Sequence, residues 1–345
     1  MNVLDLIRPN IKNLKPYSSA RDEFQGFKEN MVFLDANENP FENGVNRYPD
    51  PLQRRVKTLL SELKGLSQDH ILLGNGSDEV LDLIFRAFCE PNKDNIITLP
   101  PTYGMYGVLA NINAVAIKEM PLTKDFQPQV DKILTMADVN SKLLFLCSPN
   151  NPSGNSFSPE SIERLIKNFQ GIVVIDEAYI DFTLQPSWIN RLNEYPNLIV
   201  TQTLSKAYGM AGIRLGICYA SKIIISVLNT IKPPYNVNEL TQQRAIEQLE
   251  NRTLTEQQIK SILNERDRLI DELHKISFVT KVYPTDANFV LVKVDDATMR
   301  YHQLVERGIV VRNRSTQPGC ENCLRFTVGI ANENKALITA LHELS

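Results

Sequence analysis

The chain has 345 residues, more than the roughly 250–300 at which a single hydrophobic core stops growing, so we expect two domains. Hydrophobic residues make up 43% and charged residues 22%, which is typical of a globular protein and excludes a disordered or fibrous class. The formal net charge is −3 and no long basic run occurs, which argues against nucleic acid or an anionic membrane as partner. Small anionic ligands remain open, because they need local charge rather than net charge.

The start of the chain lacks a continuous apolar run, and no stretch of about 18 uncharged apolar residues follows, so we expect a cytoplasmic protein. Five cysteines is an odd number in a long chain and favours reduced thiols over a disulfide framework. Cys320 and Cys323 form a CxxC pair, but there is no second pair and the chain has only four histidines. We therefore interpret the pair as part of a loop and predict no metal site.

Between about residue 70 and residue 220, short apolar runs alternate with polar turns and amphipathic stretches, which indicates an α/β domain. Continuous apolar runs suit strands that are covered on both faces, as in a mostly parallel sheet flanked by helices. The predicted strands are Asn95–Leu99, Val115–Met120, Lys142–Cys147, Ile172–Ile175, Leu198–Thr201 and Leu215–Ala220.

The pattern then changes to one long amphipathic helix from about Asn251 to Ile276, followed by short strands and a final helix. We predict a smaller α+β domain formed by residues 31–45 and 246–345, a large α/β domain over residues 46–245, and an amino-terminal arm over residues 1–30. The strand-like runs of the smaller domain are Lys281–Val282, Phe289–Lys293, Ile309–Arg312 and Leu324–Val328.

Three polar motifs each begin where a predicted strand ends, which is where open α/β sheets bind ligands. They are SPNNPSG (Ser148–Gly154), DEAY (Asp176–Tyr179) and TLSKAYGMAGIR (Thr203–Arg214). A carboxylate directly after the apolar run IVVI needs a positive partner, and the ring nitrogen of pyridoxal 5′-phosphate (PLP) is one. Lys206 would lie in a partly desolvated pocket, which lowers an amine pKa as imine formation requires.

Two further motifs suit a phosphate and an aromatic ring. GNGSDE (Gly74–Glu79) opens a predicted helix, and free N–H groups at a helix N-terminus bind phosphate, although capping by Ser77 or Asp78 would explain the same residues. Ser205 and Arg214 flank the lysine at spacings suited to a dianionic phosphate. Tyr103, after the strand NIITL, is placed to stack on a ring, although a lone tyrosine there more often belongs to a core.

Together these motifs resemble fold-type I PLP enzymes, specifically the histidinol-phosphate aminotransferase family. SKAYGMAGIRLG is a specific PLP-lysine signature, whereas DEAY or SPNNP alone would be weak. The resemblance follows the family's order across nearly the whole chain, through NLKPYSSAR (Asn13–Arg21), LDANENP (Leu34–Pro40), NRYPD (Asn46–Asp50), GNGSDE, RAFCEP, PPTYGMY, CSPNNPSG, DEAYIDF, TLSKAYGMAGIRLG and LRFTVG (Leu324–Gly329).

The resemblance implies a role for each matching residue. Lys206 would bind PLP as an imine, Asp176 would pair with the ring nitrogen, Asn151 and Tyr179 would bind the 3′ oxygen, and Tyr103 would stack on the ring. Tyr48 would enter the site from the second subunit of a homodimer. The phosphate cup would consist of Gly76, Ser77, Asp78, Ser205 and Arg214.

For the substrates, the resemblance implies that Arg325 binds the α-carboxylate of glutamate and that Arg312 meets the substrate phosphate or the distal carboxylate. Arg314 is so close in sequence that either arginine can take the second role. Tyr17 and Asn37 match positions that line the substrate pocket. The loop QPGCENC before LRFTVG departs from the family's pattern.

The function implied is reversible amino transfer from L-histidinol phosphate to 2-oxoglutarate, which gives imidazole acetol phosphate and glutamate in histidine biosynthesis. The alternatives are an aromatic-amino-acid aminotransferase or a PLP decarboxylase of a phosphorylated amino acid, and, from another class, a non-catalytic PLP-binding regulator. A dinucleotide-binding oxidoreductase is disfavoured, because GNGSDE lacks the GxGxxG spacing.

Overall fold

Two β-sheets organise the protein, whose computed structural model describes residues 2–15 and 31–345. The first sheet has seven strands, and the second has four. The strands are β1 (Ile71–Asn75), β2 (Asn95–Thr98), β3 (Ala116–Glu119), β4 (Ser141–Cys147), β5 (Ile172–Asp176), β6 (Leu198–Thr203), β7 (Leu215–Ala220), β8 (Val279–Val282), β9 (Phe289–Val294), β10 (Arg312–Asn313) and β11 (Cys323–Thr327).

Helices cover both faces of the large sheet, and further helices pack against the small sheet. The α-helices are α1 (Pro9–Lys12), α2 (Arg54–Lys64), α3 (Gly76–Phe88), α4 (Met105–Ile112), α5 (Val130–Met136), α6 (Pro159–Asn168), α7 (Lys222–Ile231), α8 (Glu239–Glu250), α9 (Arg252–Leu273), α10 (Ala297–Glu306) and α11 (Ala331–Glu343).

The large sheet has the strand order β1-β7-β6-β5-β4-β2-β3 and is parallel except at β7, which is antiparallel to both of its neighbours. Successive residues of β5 enter different hydrophobic clusters: Val173 and Ile175 pack on one face, and Ile172 and Val174 on the other. Burial on both faces explains why the strand sequences are continuously apolar. The predicted α/β class with a mostly parallel sheet is confirmed.

The small sheet is antiparallel, in the order β10-β11-β9-β8, and packs against α9 and α11. Its predicted strand Ile309–Arg312 is wrong, because the strand begins only at Arg312. Gly308 has φ +76° and, like Ile309, donates its backbone N–H to the last turn of α10. The residues before Arg312 therefore terminate a helix instead of joining the sheet.

Two further features concern the sequence predictions. All five cysteines are buried and unpaired, and Cys320 and Cys323 belong to the hydrophobic core of the large sheet. Within residues 2–15 and 31–345, no helix is long and apolar enough to span a bilayer, and no group of His, Cys, Asp and Glu side chains has the arrangement of a metal site.

Candidate active site

A cavity of about 640 Å³ lies at the carboxyl ends of β4, β5 and β6 and is bordered by β10, β11 and the loop between them. Its volume is within the range typical of small-molecule sites, about 300–1,000 Å³. The cavity brings together most of the residues predicted from sequence, namely Ser77, Asp78, Tyr103, Asn151, Asp176, Tyr179, Ser205, Lys206, Arg214, Arg312 and Arg325.

Asp176 is the last residue of β5 and is buried. Its carboxylate accepts hydrogen bonds from the Tyr106 hydroxyl at 2.8 Å and from the Ala178 backbone N–H at 3.1 Å. Burial nevertheless raises the pKa of Asp176, because the two donors do not replace the lost hydration. A positively charged group in the cavity would stabilise its ionised form.

Lys206 follows β6 and projects into the cavity, where it is accessible to solvent but surrounded by protein. Its Nζ lies 5.7 Å from the centre of the Tyr179 ring. Partial burial, and next the charge of Arg325, lower the pKa of Lys206, while Asp176 opposes this effect. The amine is therefore biased towards the neutral, nucleophilic form.

An anion cradle forms where α3 begins. Gly76 has φ +79° and donates its backbone N–H to the Arg214 carbonyl at 2.8 Å. The positive φ favours glycine, and a Cβ atom at this position would lie 2.6 Å from Arg214 Nη2 and displace the guanidinium. The free N–H groups of the first turn of α3, with Arg214 and Ser205, suit a phosphate.

The Asp78 side chain cannot contribute to the anion cradle in the way that Ser205 and Arg214 do, because it is itself an anion. Its carboxylate accepts a hydrogen bond from the Tyr103 hydroxyl at 3.0 Å and lies 3.7 Å from Arg214 Nη2. A carboxylate repels a phosphate, so only the backbone N–H of Asp78 suits anion binding. The side chain instead orients the arginine and the aromatic ring.

Arg325, on β11 of the small sheet, reaches across to the large sheet. Its Nη1 donates to Asn151 Oδ1 at 2.6 Å, and its guanidinium carbon lies 4.9 Å from the centre of the Phe289 ring. Burial, and next the charges of Arg314 and Arg312, lower the pKa of Arg325 to about 10. An anion in the cavity would relieve this destabilisation of the charged form.

Two predicted residues, Asn37 and Tyr48, lie apart from the cavity. Asn37 and Tyr48 line a second cavity of about 550 Å³, where Tyr48 stacks on Tyr235 with a centroid distance of 4.5 Å. Tyr48 is 52% exposed in the single chain. Tyr17 lies outside the described residues. The predictions for these three residues remain predictions.

Sequence reasoning missed several residues of the site. Tyr106 lies in the first turn of α4, three residues after Tyr103, so the second tyrosine of PPTYGMY was the available signal. A Cβ atom on Gly216 of β7 would collide with the backbone of Gly76 and Ser77, so this glycine lets the cradle approach the sheet. Thr203 and Gln317 also line the cavity, and so does Arg314, which the sequence offered as the alternative to Arg312.

The described residues fit the cofactor implied by the sequence. PLP carries a phosphate for the cradle, a ring nitrogen whose charged form would satisfy Asp176, and an aldehyde for a neutral lysine amine. Gly76 and Gly216 leave room for the guanidinium of Arg214 beside the start of α3 and for the close approach of that turn to β7.

Comparison with known proteins agrees with this geometry. Residues 31–341 match the family model for aminotransferase class I and II. The chain is 66% identical to the histidinol-phosphate aminotransferase of Flavobacterium johnsoniae over 349 aligned residues, which cover 100% of each chain. The fold is similar to the crystal structure of histidinol-phosphate aminotransferase from Clostridium acetobutylicum, with a TM-score of 0.80 and 27% identity over 87% of this chain and 91% of that chain.

A second structure supports the fold alone, because its sequence is only 24% identical. It is histidinol-phosphate aminotransferase from Sinorhizobium meliloti in complex with pyridoxal-5′-phosphate, with a TM-score of 0.78 over 86% of this chain and 82% of that chain. The 66% identity with the Flavobacterium johnsoniae relative over the whole chain is stronger evidence for the family than either fold comparison. The chain therefore belongs to the class I and II aminotransferases and, within them, to the histidinol-phosphate aminotransferase family.

Proposed function

We propose that the protein catalyses PLP-dependent amino transfer from L-histidinol phosphate to 2-oxoglutarate in histidine biosynthesis. The observation that carries the proposal is one cavity in which Lys206, Asp176 and Arg325 meet. The lysine and the aspartate come from the large sheet and suit the cofactor, whereas Arg325 comes from the small sheet and suits an anionic substrate. The 66% identity with a histidinol-phosphate aminotransferase supports the choice of substrate.

In this proposal each cofactor group has a binding residue. Asp176 holds the ring nitrogen in its charged form, and Tyr106 keeps the carboxylate oriented by its hydrogen bond. Asn151 and Tyr179 bind the 3′ oxygen, and Tyr103 stacks on the ring. The phosphate is bound by the cup of Gly76, Ser77, Asp78, Ser205 and Arg214, in which Asp78 contributes its backbone N–H.

PLP, when bound, withdraws electrons from the carbon that carries the amino group, so that a proton on this carbon becomes acidic. Lys206 Nζ is the group that would remove and return that proton, because burial lowers the pKa of its amine and so favours the neutral form that a general base requires. Burial raises the pKa of the Tyr179 hydroxyl, which therefore stays protonated and can donate a hydrogen bond to the 3′ oxygen.

Substrate recognition depends on the cationic side of the cavity. Arg325 binds the α-carboxylate of glutamate, and Arg312 binds the substrate phosphate or the distal carboxylate. Asn37 and Tyr17 complete the pocket in the proposal. Because both substrates are anionic, the same arginines serve both half-reactions.

The proposal is tested by half-reaction spectra of the purified holoenzyme with a panel of amino donors. We expect histidinol phosphate and glutamate to convert the cofactor to its amino form. With 2-oxoglutarate as acceptor, kcat/KM should be highest for histidinol phosphate. A higher kcat/KM for phenylalanine would reassign the substrate, and no conversion by glutamate would contradict an aminotransferase.

The quaternary part of the proposal is a homodimer in which Tyr48 of one subunit completes the phosphate cup of the other. Large apolar side chains are exposed on residues 31–48, including Leu34 at 88% and Phe41 at 80%, and such a patch favours burial against another chain. We also propose a cytoplasmic location. The proposed domains are an amino-terminal arm over residues 1–30, a large domain over residues 46–245, and a small domain formed by residues 31–45 and 246–345.

Mixing two inactive variants tests the shared site. A heterodimer of Tyr48→Ala and Lys206→Ala subunits holds one site with an intact lysine from the first chain and an intact tyrosine from the second. We expect the mixture to regain activity relative to either variant alone. Activity that stays at the level of the separate variants would contradict a site shared between subunits.

A further inference from the structure

Asn236, in the loop between α7 and α8, connects two parts of the chain that the proposed function uses separately. Its amide nitrogen Nδ2 donates hydrogen bonds to the Leu73 carbonyl of β1 at 3.0 Å and to Glu79 Oε2 of α3 at 2.8 Å. Its amide oxygen Oδ1 accepts from Lys232 Nζ at 3.0 Å and from Gln53 Nε2 at 3.3 Å. One side chain therefore joins the beginning of the phosphate cradle to the segment before α2.

The hydrogen bonds of the amide nitrogen reach the start of the cradle. Glu79 Oε2 also accepts the backbone N–H of Asn75 at 2.5 Å, and Asn75 is the last residue of β1, directly before Gly76. The carboxylate thus closes the turn in which β1 passes into α3, as an acidic residue does when it reaches back to the beginning of a helix. Because Asn236 binds both this carboxylate and β1, it holds the turn that presents the free N–H groups of α3.

The hydrogen bonds of the amide oxygen reach the segment that contains Tyr48. Gln53 and Lys232, its two donors, also donate to the Pro51 carbonyl at 2.8 Å and 3.2 Å. Tyr48 lies three residues before Pro51 and stacks on Tyr235, the residue directly before the asparagine. Tyr235 and Gln53 have φ of +59° and +49°, which is uncommon for residues other than glycine, so the backbone here depends on the contacts around it.

The two sides of this network require different atoms. The lysine ammonium of Lys232 has donors only, so the atom that faces it must be an oxygen. The Leu73 carbonyl and the Glu79 carboxylate are acceptors, so the atom that faces them must carry a proton. The amide of Asn236 meets both requirements at once, whereas a carboxylate would meet only the first.

We propose that Asn236 is a positioning residue that couples the phosphate cradle of its own subunit to the Tyr48 that serves the other subunit. This inference rests on the proposed function, and in particular on the site shared between subunits. Each copy of Asn236 then supports both phosphate cups of the dimer, one through the start of α3 and the other through Tyr48.

Heterodimers with a single intact lysine separate the two effects. One subunit carries Lys206→Ala, so the imine between PLP and lysine forms only in the site that uses the cradle of the other subunit and the Tyr48 of this one. Asn236→Ala in the subunit with the intact lysine disturbs the cradle, and in the Lys206→Ala subunit it disturbs Tyr48. The subunits carry different affinity tags, so that each heterodimer can be purified.

Each heterodimer is dialysed to equilibrium against a series of PLP concentrations, and the absorbance of the imine gives the dissociation constant of the intact site. We expect Asn236→Ala to raise this constant about 10-fold in either arrangement, relative to the heterodimer without it. An increase in only one arrangement, or in neither, would overturn the coupling.

Asn236→Asp separates the two sides of the amide. It keeps the acceptor for Lys232 and removes the donor to Glu79, so it should raise the dissociation constant about 10-fold in the subunit with the intact lysine. In the Lys206→Ala subunit the change should be less than about threefold. Equal effects in the two arrangements would contradict the division between an acceptor side and a donor side.

Asn197→Asp is the matched control. Asn197 is buried and its Nδ2 donates to two carbonyls, those of Ile166 and Gly171, at 3.1 Å each, but it precedes β6 at the edge of the sheet opposite the cavity. This variant should lower the urea midpoint and leave PLP affinity unchanged. If it weakens PLP binding as much as Asn236→Asp does, the effect is a loss of general stability and Asn236 has no positioning role.

Mixing Tyr48→Ala with Lys206→Ala distinguishes failure of this inference from failure of the proposed function. If these two variants do not restore activity to each other, the shared site fails and the coupling fails with it. If they do, and Asn236→Ala has no effect in the Lys206→Ala subunit, the shared site stands and only the role of Asn236 is refuted.

Discussion

Tyr106→Phe removes a single hydroxyl that lies outside the lining of the cavity. Tyr106 is fully buried, stacks on Phe145 with a centroid distance of 4.6 Å, and does not line the cavity. The phenylalanine keeps this packing, so the change isolates the hydrogen bond of 2.8 Å to Asp176. Any effect on the reaction must therefore be transmitted through the aspartate.

The magnitude follows from the charge of the acceptor. A hydrogen bond to a charged group contributes about 1.5–3 kcal/mol, and its loss would raise the pKa of Asp176 further, because one donor to the carboxylate is removed. A more basic carboxylate competes for the proton on the cofactor ring nitrogen. If all of this energy is lost in the reacting state, the half-reaction slows about 10- to 100-fold, and substrate KM stays nearly constant.

Stopped-flow absorbance of the glutamate half-reaction, measured as a function of pH, checks this prediction. The matched control is Tyr219→Phe, which removes a buried hydroxyl of β7 that has no hydrogen-bond partner among the described residues. Only Tyr106→Phe should slow the reaction and move its pH profile. If the two variants give the same rate and the same profile, Tyr106 has no positioning role.

Three further substitutions give distinct outcomes. Lys206→Ala should abolish turnover while the proposed dimer still binds PLP noncovalently, as checked by absorbance and dialysis. Asp176→Asn should stabilise the cofactor-free protein at neutral pH. The raised pKa of Asp176 makes the folded wild-type chain bind more protons than the unfolded chain, so the wild type loses stability as the pH rises above about 4, and the asparagine variant does not. Gly216→Ala should cost about 1–3 kcal/mol in urea unfolding and weaken PLP binding, because the new methyl group meets the Ser77 backbone.

Each of these outcomes has a result that contradicts it. Loss of the dimer or of all PLP binding in Lys206→Ala would mean that the lysine is structural. The urea midpoints of Asp176→Asn and wild type should converge as pH falls, and a difference independent of pH would refute the argument from burial. Unchanged PLP affinity in Gly216→Ala would separate β7 from the phosphate cradle.

Six of the seven strands of the large sheet were predicted, because each is a short apolar run that can be recognised locally, whereas β1 was not among them. A strand such as β5 is a continuous apolar run that ends in Asp176, and parallel strands bring their carboxyl ends to one edge. The positions of Asp176 and Lys206 in one cavity follow from that rule alone. The contact between Tyr106 and Asp176 does not follow, because a hydrogen bond over 70 residues depends on how α4 packs on the sheet.

The small sheet was harder to predict for a related reason. Its edge strands β8 and β10 are short and partly exposed, so their apolar signal in the sequence is weak. The run that includes Ile309 was assigned to a strand, although its first residues terminate a helix. The shift of β10 affects the site, because it places Arg314 at the first residue of the loop beyond the strand. Sequence spacing could not distinguish the exposed Arg312 from the half-buried Arg314.

The link between Arg325 and Asn151 joins the two halves of the site. Arginine has donors only, so the atom of Asn151 that it contacts must be the amide oxygen, and the amide nitrogen is left to point elsewhere. That nitrogen is the group which the proposed contact with the 3′ oxygen of PLP requires. An arginine proposed to bind the substrate thus also orients an asparagine proposed to bind the cofactor, and in this proposal both roles depend on the docking of the small sheet against the large one.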